Sequence, residues 1–252
     1  MGELRNSKEP PFVVPDEGFS FPLEHFVIPD HYASDLGSVM LPHGIIMDRI
    51  EKLAIDITRD YNFHGGGTRV HMLCVLKGGH QFFSDLCNAL KRLTLRHATD
   101  APLTFDFIRV KSYEGTESTG KAAKIESIGV NLASLKGRHV LLCEDIIDTG
   151  NTMSMLVPHL QSFGPATVRV ATLLQKRTPK SVGFVGDYVG FTIPNEFVVG
   201  YCLDYNEVFR DMEHICIMNK SGIAKHAKKK PSADEAAPEA SAPAPASAAP
   251  KA

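Results

Sequence analysis

No C-x-x-C pair occurs in these 252 residues, and the five cysteines (Cys74, Cys87, Cys143, Cys202 and Cys216) are odd in number and widely spaced. That spacing favours a reduced, cytoplasmic setting over a disulfide framework, and it offers little to structural zinc. Long apolar runs are also missing, and none reaches the length that spans a bilayer. The segment 1–12 is polar, carries adjacent prolines and has no apolar signal core. Gly2 would suit myristoylation, but the sixth position is Asn6 rather than Ser or Thr. An excess of one charge is absent as well: 27 Lys and Arg stand against 29 Asp and Glu, a net charge of −2. Bulk attraction to nucleic acid or membrane is therefore not expected, and any anion must be held by a local site. There is no internal repeat, and no G-x-G-x-x-G follows an early strand, which argues against a dinucleotide-dependent oxidoreductase.

What remains is a chain with 43% hydrophobic residues, ordinary for a globular protein of one domain with appendages or two small domains. Residues 1–20 read as a loose arm and 21–224 as the folded domain. Residues 225–252 are Lys-rich, then Ala/Pro/Ser-rich; they cannot bury enough apolar surface to offset their ordering entropy, so a disordered and dispensable tail is expected. Lys228, Lys229 and Lys230 within it read as a solvated charge cluster or as a nuclear address.

Between the tails, two periodicities alternate. Apolar residues fall at helical spacing over 43–61, 81–95 and 152–163. Short apolar or alternating runs at 70–76, 103–110, 139–143, 168–174, 188–191, 198–201 and 215–218 read as strands. Strands alternating with helices predict an α/β fold with a mainly parallel central sheet. Pro158 falls inside the third helical segment, where it removes a backbone hydrogen bond, so that helix must kink or start late.

The chemistry concentrates in residues 140–152. A buried strand is followed by Glu144 and Asp145, two apolar residues, Asp148, and then Thr149, Gly150, Asn151 and Thr152 opening a helix. In open α/β sheets, ligands bind beyond the carboxyl ends of strands, and helix N-termini offer free N–H groups to phosphate. Carboxylates beside a phosphate loop would repel a bare nucleotide. They suit ribose hydroxyls or magnesium, so a ligand combining ribose, phosphate and diphosphate fits. The plain alternative is a strand end with solvated acids and an N-cap.

This stretch resembles the phosphoribosyl-diphosphate signature of the type I phosphoribosyltransferases. The hypoxanthine-guanine branch of that family is further indicated by Leu76-Lys77-Gly78-Gly79, by 109–113, by 174–179, by 197–206 and by Arg210-Asp211 in the same order. The similarity runs over about 21–223. It implies the type I phosphoribosyltransferase fold, with a small hood subdomain beside the central sheet. It also implies purine salvage: the phosphoribosyl group of 5-phosphoribosyl 1-diphosphate passes to hypoxanthine or guanine, giving inosine or guanosine monophosphate and diphosphate, with Mg2+ as cofactor. A homodimer or homotetramer is implied too. The alternative on the same fold is a non-catalytic nucleotide sensor.

Residue by residue, the resemblance implies that Glu144 and Asp145 hold the ribose hydroxyls, directly or through magnesium. Residues 148–152 cradle the 5-phosphate, and Asp148 is the candidate base for the purine imidazole proton, or else a loop cap. Lys77 and Gly78 receive diphosphate beside a non-proline cis bond between Leu76 and Lys77; without the resemblance this is an ordinary strand-to-helix turn. Lys176 donates to the purine 6-oxygen, which adenine lacks, or is simply solvated. Phe197 stacks on the purine, or is core, and backbone groups near Glu196 and Val198 meet the purine edge. Asp204 lies at the purine site and binds a second magnesium, and Arg210 neutralises diphosphate. Ser112 and Tyr113 begin a polar stretch reaching Gly120 that resembles the family's mobile lid, though its composition suits a passive loop equally. Many close relatives carry Lys where this chain has Asn151, which implies weaker phosphate binding here.

Overall fold

Apolar segments of strand length and helix length sort the chain into two sheets. In the computed structural model, residues 9–61, 69–95, 103–112, 123–128 and 131–227 are described. Their elements in chain order are β1 (Phe12–Val13), α1 (Asp30–Ala33), β2 (Leu36–Leu41), α2 (His43–Asp60), β3 (Val70–Leu76), α3 (His80–Leu95), β4 (Thr104–Ser112), β5 (Ala123–Ile128), β6 (His139–Ile147), α4 (Asn151–Gln161), β7 (Thr167–Lys176), β8 (Tyr188–Ile193), β9 (Val198–Val199), β10 (Ile215–Met218) and α5 (Lys220–His226). The main sheet runs β1-β8-β7-β6-β3-β4-β5, and all its pairings are parallel except the last, β4 with β5. A second, antiparallel sheet, β2-β10-β9, forms the hood.

The apolar run of β3 shows why both faces of the main sheet are covered. Side chains alternate across a strand. Met72 and Cys74 pack with Ile46, Ile50 and Leu53 of α2 and Phe82, Leu86 and Leu90 of α3. Leu73 and Val75 point the other way, into Met153, Leu156 and Leu160 of α4. A strand buried on both sides needs this continuous apolar composition, and each fully buried aliphatic side chain contributes roughly 1.5–3 kcal/mol of transfer free energy. The hood has its own core of Val39, Val199, Phe209 and Cys216.

Two boundary expectations are corrected. Residues 12–16 are not a loose arm: Phe12 and Val13 pair with Phe191 and Thr192, and Val14 is fully buried. Val14 donates its N–H to the Thr192 carbonyl at 2.9 Å, and its own carbonyl accepts from Arg177 at 2.7 Å. Three successive apolar β-formers behind two prolines were enough to add an edge strand. At the other end, Lys225 and His226 belong to α5 and bond Asp35, so the tail begins later, and 228–252 lie outside the described residues.

Two smaller differences have backbone causes. The strand expected over 198–201 stops at Val199, because Gly200, Tyr201 and Cys202 all take positive φ, at 93°, 51° and 71°. Helix α4 does not start late: it opens at Asn151, leaving Pro158 in its interior and the Ser154 carbonyl without its usual intrahelical donor.

Candidate active site

Strand β6 carries the first two acids inside the sheet rather than beyond it, since Glu144 pairs with Thr172 and the ladder continues to Ile147 opposite Gln175. Asp148 and Thr149 then leave the sheet, and Gly150 caps α4 at φ 86°, a left-handed conformation that glycine adopts without strain. A Cβ at Gly150 would also lie 3.0 Å from Phe184 Cβ. The first intrahelical bond of α4 runs from Ser154 N–H to the Gly150 carbonyl at 2.9 Å, so the Thr152 and Met153 amides lack an intrahelical acceptor, while the Asn151 N–H donates to Thr149 Oγ1 at 3.4 Å. These residues line a cavity of about 570 Å³ together with Val75 and Leu76 from the end of β3 and Val110 from β4. It lies at the carboxyl ends of parallel strands, beside a helix N-terminus, where an open α/β sheet binds anionic ligands.

Glu144 lines this cavity and is buried. Burial, and then the charge of Asp145, push its carboxyl well above the ordinary carboxylate range. Its Oε2 is buried and has no hydrogen-bond partner among the described residues. Asp145 accepts the Ile146 N–H at 2.8 Å and lies against the loop after β3. A Cβ at Gly78 would fall 1.7 Å from Asp145 Oδ2, and one at Gly79 would fall 2.6 Å from the Val75 carbonyl oxygen. At Gly79 the clash is with backbone, so only glycine fits there, whereas a side chain at Gly78 would force the Asp145 carboxylate to move. The Leu76–Lys77 peptide bond is cis.

Lys176, at the end of β7, reaches across to Asp148: its Nζ lies 3.3 Å from Asp148 Oδ2. The Lys176 side chain is only 11% exposed, whereas that of Asp148 is 54% exposed. Phe197 is 38% exposed and meets the Tyr205 ring edge-on, with centroids 4.8 Å apart. It is therefore not a core residue; the core reading of Phe197 is set aside. Glu196 is exposed, with its N–H on the Pro194 carbonyl at 2.8 Å, while Val198 is buried in β9.

A second charged group forms where the hood meets the β3 loop. Lys77 Nζ lies 2.6 Å from Glu207 Oε2. Arg210 Nη2 lies 3.3 Å from Glu207 Oε1 and 2.8 Å from Asp204 Oδ1, and its Nη1 donates to the Cys202 carbonyl at 2.8 Å. Glu207 is a member that sequence reasoning missed, although it sits between the quoted 197–206 segment and Arg210. Ser112 ends β4, opposite Ala123, and Tyr113 lies outside the described residues.

The three residues expected to hold metal do not form one set. Glu144 and Asp145 are neighbours on β6, but both carboxylate oxygens of Asp204 are engaged, one by Arg210 and the other by the Glu207 N–H at 2.8 Å. Among the described residues, no group of three or more His, Cys, Asp or Glu is placed to hold an ion. That donor set fits magnesium all the same, because Mg2+ usually keeps several waters and binds through one or two carboxylates plus substrate oxygens. The orphaned Glu144 oxygen is an available ligand of that kind.

Comparison with known proteins places this geometry in a family. The phosphoribosyl transferase domain model matches residues 40–206. Hypoxanthine-guanine phosphoribosyltransferases from Homo sapiens and Bos taurus are each 48% identical over 220 residues, covering 87% of this chain and 98% of theirs. A crystal structure of the hypoxanthine-guanine phosphoribosyltransferase from Schistosoma mansoni in complex with IMP is 37% identical. It aligns with a TM-score of 0.71, covering 86% of this chain and 99% of that one.

Proposed function

The chain belongs to the phosphoribosyl transferase family, and we propose that the residues gathered around its β6 cavity carry out transfer to a 6-oxopurine. The enzyme joins hypoxanthine or guanine to the phosphoribosyl group of 5-phosphoribosyl 1-diphosphate, releasing diphosphate, a reaction of purine salvage. The observation that carries the residue assignment is the Lys176–Asp148 contact. A cation with three donors and a carboxylate acceptor face each other at the ends of adjacent strands. A 6-oxopurine offers each its complement, a keto oxygen for Lys176 and an imidazole N–H for Asp148.

In this reading Glu144 and Asp145 accept the ribose hydroxyls, and the amides and hydroxyls of 149–152 hold the 5-phosphate. The purine nitrogen forms its bond to the anomeric carbon as the bond to diphosphate breaks. Asp148 takes the proton displaced from the imidazole ring. Phe197 stacks on the purine, and the backbone beside Glu196 and Val198 meets its edge. Lys77, Gly78 and Arg210 receive the leaving diphosphate, with Asp204 holding Arg210 in place. Ser112 and Tyr113 begin the segment that covers the reacting centre and excludes water. Glu144 and Asp145 would hold magnesium, which would shield charge on the sugar diphosphate, while Asp204 stays with Arg210.

Assembly as a homodimer or homotetramer and a cytoplasmic location belong to the same reading. All five cysteines are free, the state that a reducing compartment maintains. A diphosphate-release assay with hypoxanthine, guanine, xanthine and adenine, each with the sugar diphosphate and Mg2+, tests the reading. Turnover with hypoxanthine and guanine but not adenine is expected. Tight binding without turnover of any of the four would make the protein a sensor.

A further inference from the structure

We propose that Glu207 is a resident counter-anion of the diphosphate site: its carboxylate pairs with both cations of that site and competes with diphosphate for them. This rests on the assignment of Lys77 and Arg210 to diphosphate. The geometry is that of a bridging anion. One Glu207 oxygen lies 2.6 Å from Lys77 Nζ and the other 3.3 Å from Arg210 Nη2, so a single carboxylate spans both cations as a phosphate group would. Lys77, and then Arg210, hold the Glu207 carboxyl below the usual carboxylate range, which favours its anionic form.

The turn that presents Glu207 is built without help from its side chain. Tyr205 and Val208 exchange two backbone hydrogen bonds at 3.2 Å, and the Glu207 N–H donates to Asp204 Oδ2 at 2.8 Å. Asn206 Nδ2 donates to the His226 carbonyl at 2.6 Å, tying the turn to the end of α5. Asn206 and Glu207 both stand at left-handed φ, 53° and 69°. Such conformations cost non-glycine residues energy and persist where the surroundings impose them. The turn therefore holds Glu207 in front of Lys77 by its own backbone bonds, and changing the carboxylate to an amide leaves those bonds intact.

A competing carboxylate has two consequences for the reaction. It weakens the hold on the sugar diphosphate, and it speeds departure of the diphosphate product by reclaiming both cations. Each exposed ion pair is weak, so the competition is modest, about 3- to 10-fold when both pairs are counted.

Calorimetric titration of inorganic diphosphate in the presence of Mg2+ tests this on five proteins: wild type, Glu207→Gln, Lys77→Ala, Arg210→Ala and the double variant Glu207→Gln with Lys77→Ala. Glu207→Gln is expected to bind diphosphate about 3- to 10-fold more tightly, with a matching fall in KM for the sugar diphosphate. In the double variant Glu207→Gln with Lys77→Ala, the gain over Lys77→Ala alone is expected to shrink. Unchanged or weaker binding by Glu207→Gln, with Lys77→Ala and Arg210→Ala both impaired, overturns the competition and leaves the site assignment standing. A gain of full size in the double variant also overturns it. Undiminished binding by both Lys77→Ala and Arg210→Ala overturns the site assignment and the competition with it.

Discussion

Lys176 and Asp148 neutralise each other at 3.3 Å across the ends of β7 and β6, the Lys largely buried and the Asp half in solvent. In the proposed reading the pair selects one chemical class of ring, because ammonium cannot accept a hydrogen bond from the amino group of adenine. Lys176→Gln keeps an N–H donor, gains a carbonyl acceptor and loses the charge. A hydrogen bond to a charged group is worth about 1.5–3 kcal/mol, or roughly 10- to 100-fold. The expected outcome is a loss of that size in kcat/KM for guanine and hypoxanthine, with sugar-diphosphate binding changed only a few-fold. Steady-state kinetics with each substrate varied in turn checks it; equal losses toward both substrates would place Lys176 away from the purine.

Asn151 opens α4 as an exposed residue beside the Thr152 and Met153 amides. The helix terminus supplies partial positive charge and Asn adds none. Asn151→Lys is expected to lower the KM for the sugar diphosphate about 2- to 5-fold, more strongly at low ionic strength, since screening weakens exposed charges. An unchanged or higher KM at low salt contradicts this.

In the proposed reading Glu144 trades stability for a ligand site. Burial raises its carboxyl above the unfolded value, so the folded state loses stability as pH rises from about 4.3 through that raised value. Glu144→Gln removes the buried charge and should therefore raise the Tm at pH 8. Below pH 4, where the carboxyl is protonated in both states, the variant and the wild type should melt together. The same substitution should weaken sugar-diphosphate binding. Differential scanning calorimetry across pH checks the first two statements; a lower Tm at pH 8 would mean that the Glu144 charge is paired.

The C-terminal boundary carries a stability prediction. Lys225 Nζ and His226 Nε2 each lie 2.8 Å from Asp35 Oδ2, and the Asp35 side chain is only 4% exposed. Ending the chain after residue 227 should leave the Tm unchanged, whereas removing Lys225 and His226 should lower it, by roughly 1–3 kcal/mol of stability. Lys225, and then His226, hold the Asp35 carboxyl below its ordinary range. Its contribution is thus present above about pH 3.9 and is lost as pH falls through the lower folded value. The Tm difference between the two truncations should shrink in strong acid. Identical melting at pH 7 would show that the α5 contact contributes nothing.

The elements that carry the site were legible because their signals are local. The run of β3, apolar apart from His71, the helical spacing of α2 and α3, and the acids leading into Thr149-Gly150 all act within a few residues. Strands β1, β2 and β5 were not anticipated. Two residues at Phe12–Val13 make too short a run to separate from a loop, and they become a strand only through the β8 edge. Helix α5 was hidden for a similar reason: Lys225 and His226 read as the start of a polar tail, and only Asp35, 190 and 191 residues away, gives them a partner. The family resemblance assigned roles to Lys77 and Arg210 but not to Glu207, whose part depends on a turn that joins the hood to the β3 loop.

In the proposed reaction Asp148 acts on the proton while its neighbours hold the sugar diphosphate. Asp148→Asn keeps the size and a hydrogen-bonding head but cannot take a proton at neutral pH. General-base catalysis is typically worth about 10²- to 10⁴-fold, or roughly 3–5 kcal/mol of barrier. Single-turnover kinetics of Asp148→Asn with guanine, beside direct titration of the sugar diphosphate, separates chemistry from binding. The expected result is a rate loss of about 10²- to 10⁴-fold with affinity changed only a few-fold. A near-normal rate would make Asp148 a loop cap and send the purine proton elsewhere.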